Sequence, residues 1–163
     1  MGWEEKVRRV VPYIPGEQPK QKGIIKLNTN ECPYPPSPLV KRKAAEFQTD
    51  ELRLYPDPDA SLLVKSLADY YGVKEDQIFV GVGSDDVLAM CFLTFFNSDR
   101  SVLFPDITYS FYDVWAELFQ IPYRCPALDE DFRLKKEDYL SENGGIVIPN
   151  PNAPTGLYEI GRA

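Results

Sequence analysis

Residues 78–96 read IFVGVGSDDVLAMCFLTFF, and the fold is read outward from this stretch. Ile78 to Val82 predicts a short apolar strand, Gly81 and Gly83 predict a turn, and Val87, Leu88, Cys91, Phe92, Phe95 and Phe96 recur at helical spacing. Strand, glycine turn and helix together suit a phosphate. Glycine lets the backbone approach an anion, the first N–H groups of a helix have no internal partner, and the macrodipole favours negative charge there. Gly83, Ser84 and Asp85 are therefore the candidate phosphate contacts. The same residues also read as an ordinary strand-to-helix turn with Ser84 or Asp85 as N-cap. Asp86 stands where a dinucleotide fingerprint has its third glycine, and no Lys-Ser or Lys-Thr follows. Asp85 and Asp86 would repel a phosphate dianion placed beside them. A phosphate here has to be held by backbone N–H groups and the Ser84 hydroxyl, with a cation or a partner subunit assisting.

Downstream the pattern repeats. SVLF (101–104) predicts a strand, Pro105 and Asp106 a turn, and Tyr112, Trp115, Leu118 and Phe119 one face of a helix. Strands at 121–125 and 145–149 follow, with a short helix in LKKEDYLSE between them. Strands alternating with helices imply an α/β fold with a parallel sheet covered on both faces, and ligands of such sheets sit beyond the carboxyl ends of the strands. That rule puts the turn after Val82, the turn after Phe104 and the loop NPNAPTG (150–156) along one edge. Tyr109, just past the second turn, could stack on a flat ligand or simply pack on the sheet.

Upstream, residues 3–10 predict a short helix, and VVPYIPGEQP runs on as an extended arm broken by prolines. Tyr13 in that arm is either an anchor on a neighbour or a side chain delivered to an active site. Ile24 to Leu27 predicts a strand, and NTNECPYPPSP a stiff loop whose Asn28, Asn30 and Glu31 are ligand contacts or turn-formers. Ser37 and Pro38 start a helix expected to bury Val40, Ala44 and Phe47. RLYPDPDAS, which contains Tyr55, leads into an amphipathic helix over residues 60–71 stopped by Gly72.

The chain has 163 residues, 44% hydrophobic and 26% charged, which is enough for one sizeable core. A net charge of −7 with no basic block argues against nucleic acid or an anionic membrane surface as partner. The apolar run Val87 to Phe96 is too short to span a bilayer, and MGWEEKVRRVV lacks a signal-peptide core, so a cytoplasmic protein is expected. Cys32, Cys91 and Cys125 are spaced like neither a disulfide framework nor a metal site, and buried reduced thiols are expected. With no histidine, the chain has no Ser-His or Cys-His pair and no imidazole ligand. Acid–base chemistry then falls to carboxylates, Lys, Tyr or a cofactor.

Six segments, VVPYIPGEQP, LNTNECPYPPSP, RLYPDPDAS, GVGSDD, PDITYSFY and NPNAPTG, follow one another between Val10 and Gly156. In that order they resemble the histidinol-phosphate aminotransferases of the fold-type I, pyridoxal-phosphate-dependent superfamily. The resemblance implies a three-layer, mostly parallel sheet forming part of the large cofactor domain, incomplete here. Residues 1–35 would be an N-terminal arm and substrate loop whose segment joins the small domain, and residues 36–163 the cofactor-binding part. It implies pyridoxal 5'-phosphate as cofactor, cradled by Gly83, Ser84 and Asp85 and stacked by Tyr109. Tyr55 would reach the phosphate of a neighbouring subunit's cofactor in a homodimer. Tyr13, Asn28, Asn30 and Glu31 would line a pocket for a phosphorylated amino alcohol or amino acid and a 2-oxo acid. Ala153 stands where the family has the asparagine for the cofactor ring hydroxyl, and Asn152 is its candidate replacement.

No catalytic residue is assigned within the chain. The family's pyridine-nitrogen Asp, Schiff-base Lys and carboxylate-clamping Arg lie past its Pro-Thr-Gly loop, and Lys65, Lys74 and Lys135 stand in helix or loop contexts unlike that site. The expected reaction of a complete enzyme is amino transfer between L-histidinol phosphate and 2-oxoglutarate. The 163-residue polypeptide alone is expected to be inactive and poorly stable. Threonine-phosphate decarboxylases and aromatic aminotransferases share much of the pattern. A noncatalytic phosphate-binding or association protein is the further alternative.

Overall fold

The computed structural model describes residues 2–159. Contacts divide the chain into two compact units, one holding the described residues of Met1–Tyr13 and Gly81–Ala163, the other Ile14–Val80. The first contains a three-stranded sheet, β1 (Val102–Leu103), β2 (Tyr123–Arg124) and β3 (Gly145–Ile146), in the order β2-β1-β3 with both pairings parallel. Val102 stands opposite Tyr123 and Gly145. The alternation of strand and helix is thus realised as the expected parallel α/β arrangement.

The regular ladders are shorter than the predicted strands, and proline explains the difference. Val102, Phe104 and Asp106 donate in turn to the carbonyls of Pro122, Arg124 and Pro126. Pro105, Pro122 and Pro126 have no N–H to return, so the pairing persists while regular strand geometry does not. Residues 24–27 and 78–82 form no strand. A strand needs a hydrogen-bonded neighbour, and around Val82 the donors are used locally: Val82 N–H goes to Asp86 Oδ2 (3.1 Å) and Gly83 N–H to the Gly81 carbonyl (2.9 Å).

Two helices cover the sheet's central strand. Helix α3 spans Ser84–Phe95 and α4 spans Tyr112–Phe119. Phe92 of α3 and Tyr112 and Ala116 of α4 pack with Val102, Phe104 and Ile121 into the core, flanked by Leu88, Trp115 and Phe119. The i, i+4 pair Tyr112 and Ala116 and the alternating pair Val102 and Phe104 are what period 3.6 meeting period 2 requires. Burying these aromatic rings supplies the largest apolar term of the unit. The Arg8 guanidinium donates to the Leu118 carbonyl, and Tyr13 packs on Phe111.

The second unit carries α1 (Pro38–Glu46) and α2 (Ser61–Tyr71). Ser37 caps α1, its Oγ accepting from the Val40 N–H, and Gly72 ends α2 at φ 68°. Asp57 organises the start of α2: its carboxylate accepts from Ser61 N–H (2.7 Å) and Asp59 N–H (3.1 Å). Those bonds hold the Asp57 carboxyl below the usual range. Val40, Ala44 and Phe47, expected inside, are exposed, and Ala68 is the buried residue of α2. Amphipathic spacing marks a face able to be buried, and burial itself needs a partner surface. The cysteines are free as expected, but Cys32 and Cys125 are exposed rather than buried. No helix among the described residues is long and apolar enough to cross a membrane.

Candidate active site

The sheet unit gathers four of the predicted positions around the start of α3. Gly83 precedes the helix at φ 87°, where a side chain is strained whatever the space around it, and no side chain caps the helix. The N–H groups of the first turn therefore have no intrahelical acceptor. Ser84, beside them, is exposed. Gly81 serves close approach: a Cβ there would lie 2.8 Å from Asp86 Oδ2 and 2.9 Å from a Val87 methyl.

The two acidic residues do not face this opening as free charges. Asp86 turns back to accept from Val82 N–H, and Asp85 Oδ1 accepts the Tyr109 hydroxyl at 2.5 Å. Each carboxylate keeps its negative charge while one oxygen accepts a hydrogen bond within the chain. The Tyr109 hydroxyl is pushed up to about 12, first by burial and then by the Asp85 carboxylate, so it stays a proton donor. Among the described residues no cluster of His, Cys, Asp and Glu is placed to hold a metal.

Tyr109 is half-buried and braced on two sides. Its ring stacks on Phe111 (centroids 5.8 Å, 27°) and meets Tyr112 edge-on (5.7 Å, 72°). Phe111 in turn carries Tyr13 at 4.4 Å. An anion with several acceptor oxygens suits the helix start, and a flat ring suits the aromatic cluster; pyridoxal phosphate combines both groups, and the donor set present fits it.

Asn152 reaches this neighbourhood in a different way. Its Nδ2 donates to the Ile107 carbonyl (3.0 Å) and Thr155 Oγ1 (3.1 Å), while its Oδ1 accepts from Thr108 Oγ1 (3.0 Å). Both amide hydrogens are committed within the protein.

Tyr55, Asn28, Asn30 and Glu31 belong to the other unit. Tyr55 is fully exposed. Asn28 donates to the Glu17 carbonyl (2.9 Å), and Asn30 takes the left-handed conformation at φ 52°. The Lys26 ammonium pairs with Glu31 and donates to Thr29 Oγ1 (2.8 Å), and that contact holds the Glu31 carboxyl below the usual range. Of the lysines, Lys65 lies within α2, Lys74 precedes the turn Glu75–Gln77, and Lys135 precedes the turn Lys136–Tyr139.

Residues 22–158 match the model of the family described as aminotransferase class I and II. The chain belongs to that family. Among curated aminotransferases, it is 54% identical to histidinol-phosphate aminotransferase 1 of Hydrogenovibrio crunogenus over 94% of this chain and 43% of the relative. It is 51% identical to the histidinol-phosphate aminotransferase of Clostridium beijerinckii, and 53% to that of Lactococcus lactis subsp. cremoris, each over 96% of this chain and 44% of the relative. The chain thus spans less than half the length of these aminotransferases. Two solved structures share the fold. One, provisionally assigned as a histidinol-phosphate aminotransferase of Erwinia carotovora atroseptica, superposes with TM-score 0.70 at 19% identity, over 81% of this chain and 40% of its own. The other, a provisionally assigned aminotransferase of Burkholderia pseudomallei, gives 0.68 at 20% identity, over 81% and 41%.

In this aminotransferase chain, sequence reading missed the partners that hold the predicted residues. Thr108 and Thr155 are visible as polar residues beside Tyr109 and Gly156, but a bond between side chains 44 residues apart leaves no local signature. Phe111 is one of many aromatics, and only packing singles it out between Tyr13 and Tyr109. Asp57 was not singled out either, although an Asp in a Pro-rich turn just before a helix is a local signal for accepting backbone N–H groups.

Proposed function

We propose that the protein carrying this chain is a pyridoxal-phosphate-dependent transaminase of L-histidinol phosphate and 2-oxoglutarate. The observation that carries the reading is the uncapped start of α3 at Gly83 with Tyr109 bonded across it to Asp85. The backbone N–H groups of Ser84 and Asp85, with the Ser84 hydroxyl, bind the cofactor phosphate. Tyr109 orients the cofactor by stacking and, on that face, excludes water. When bound, the cofactor supplies the electron sink for breaking a bond at the amino-bearing carbon of the substrate. Identity of 51–54% to histidinol-phosphate aminotransferases supports the substrate assignment.

In this reading residues 1–35 act as arm and substrate loop and residues 36–163 as part of the cofactor domain. Tyr13, Asn28, Asn30 and Glu31 contact substrate, and Tyr55 serves a neighbouring subunit of a homodimer. The 163-residue polypeptide by itself has no turnover, since Lys65, Lys74 and Lys135 stand in helix or loop contexts unlike the family's Schiff-base site. The test incubates the complete protein and cofactor with L-histidinol phosphate and 2-oxoglutarate and measures glutamate. Glutamate formation dependent on both substrates is the expected result. Glutamate from aromatic amino acids alone would overturn the substrate, and release of CO2 with an amine product would overturn transamination.

A further inference from the structure

We infer that Asn152 is a positioning residue, a three-way staple that fixes the loop carrying Tyr109 to the 152–156 turn, and not a donor to the cofactor ring. The inference rests on the reading above only in naming what Tyr109 serves. Every polar group of Asn152 is used. Its N–H donates to the Leu157 carbonyl (2.8 Å), and its carbonyl accepts from Gly156 N–H (2.7 Å), which closes the turn on itself. The side chain then leaves the turn. The Ile107 carbonyl is an acceptor only, so the atom facing it at 3.0 Å is the amide nitrogen, and this sets the orientation of the whole group. The second amide hydrogen goes to Thr155 Oγ1 (3.1 Å), and the amide oxygen takes the Thr108 hydroxyl (3.0 Å). No hydrogen on Nδ2 is left for a ring oxygen.

The other end of the staple explains why the bonds matter. Ile107 and Thr108 immediately precede Tyr109, and the turn before them is held from one side by Asp106, whose Oδ1 accepts from Ile107 N–H (2.9 Å) and Leu128 N–H (3.0 Å). Asp106 thus ties the segment to residue 128, and Asn152 ties it to the 152–156 turn. Tyr109 itself is fixed at its far end by Asp85 and along its face by Phe111. Its backbone end is held by Asn152 through Ile107 and Thr108, beside Asp106 and the Tyr112 N–H that donates to the Tyr109 carbonyl. Ala153, the next residue, has no side chain able to take over these bonds, so the staple has no understudy in this turn.

The test compares Asn152→Ala, Thr108→Val and the double variant in the complete protein, with two readouts. The first is hydrogen exchange of the segment 106–112, measured without cofactor. Asn152→Ala and Thr108→Val should each raise exchange there about three- to tenfold, the size of one or two lost hydrogen bonds, while α3 stays protected. The second is the pyridoxal phosphate dissociation constant with the circular dichroism of the bound cofactor. The singles should weaken binding by a similar factor and reduce the dichroic signal, and the double should be no worse than Asn152→Ala, because both remove one unit. Asn152→Asp keeps the acceptor for Thr108 but sets a carboxylate oxygen against the Ile107 carbonyl, so it should restore none of the loss. Unchanged exchange in 106–112 would overturn the staple. Weakened binding in Asn152→Ala with Thr108→Val at the wild-type value and additive in the double would overturn it in favour of a direct ring contact. A wild-type protein that takes up no pyridoxal phosphate would refute the transaminase reading, and the exchange comparison would still decide the role of Asn152.

Discussion

Tyr109 and Asp85 form a pair whose titration is measurable. The Tyr109 hydroxyl, ordinarily near 10, is pushed up to about 12, so the folded chain keeps a proton that the unfolded chain gives up. Stability from this group is complete below pH 10 and falls as the pH rises through about 12. Burial pushes Tyr139 up to about 12 as well, so both contribute to the fall. Tyr109→Phe should cost about 1–3 kcal/mol at neutral pH and flatten the alkaline loss in urea titrations, with the Tyr139 share remaining. An unchanged alkaline slope would show that Asp85 and burial do not hold this proton. The glycines beside the pair separate two causes of strain. Gly83→Ala meets open space but a left-handed φ of 87°, and Gly81→Ala meets Asp86 and Val87. Each should lower stability by about 1–3 kcal/mol, and shortening Val87 to Ala should relieve only the Gly81 variant.

At the level of elements, the start of β3 is set by what approaches it. A Cβ at Gly145 would run into the Phe96 ring just past α3, and one at Gly144 into the Arg100 carbonyl oxygen. Gly144→Ala and Gly145→Ala should each cost about 1–3 kcal/mol in chemical denaturation. Phe96→Leu should restore part of the Gly145→Ala loss and none of the Gly144→Ala loss, because a side chain can yield where a backbone carbonyl cannot. Helix ends were legible where their signals are local, at Ser37 with Pro38 and at Gly72, whereas α3 starts after Gly83 with no side-chain cap, and Ser84 and Asp85, the N-cap candidates, lie inside it. Strands at 24–27 and 78–82 were not, because apolar runs of that length state a capacity to pair, and the neighbour that completes a ladder lies elsewhere in the chain.

Across the whole molecule, burial divides the apolar residues unevenly. Phe92 is fully buried among Tyr112, Ala116 and Val102, and Phe92→Ala should cost about 3–5 kcal/mol by urea denaturation. Leu62 on α2 is 82% exposed, and Leu62→Ser should change stability by no more than about 0.5 kcal/mol. A larger loss at Leu62 would show that another surface covers that face. The sequence by itself determined the helices and most of their ends, the parallel α/β order and the family. Those features depend on spacing within a few residues or on motifs in series. Only the tertiary structure decided that Asp85 accepts from Tyr109 and Asp86 from the Val82 N–H, that Tyr13 reaches Tyr109 through Phe111, and that the amide of Asn152 is consumed by Ile107, Thr108 and Thr155. The physical reason is that a side chain's chemistry is written at its own position, whereas its partner is chosen by where the fold brings distant backbone and side-chain groups within hydrogen-bonding reach.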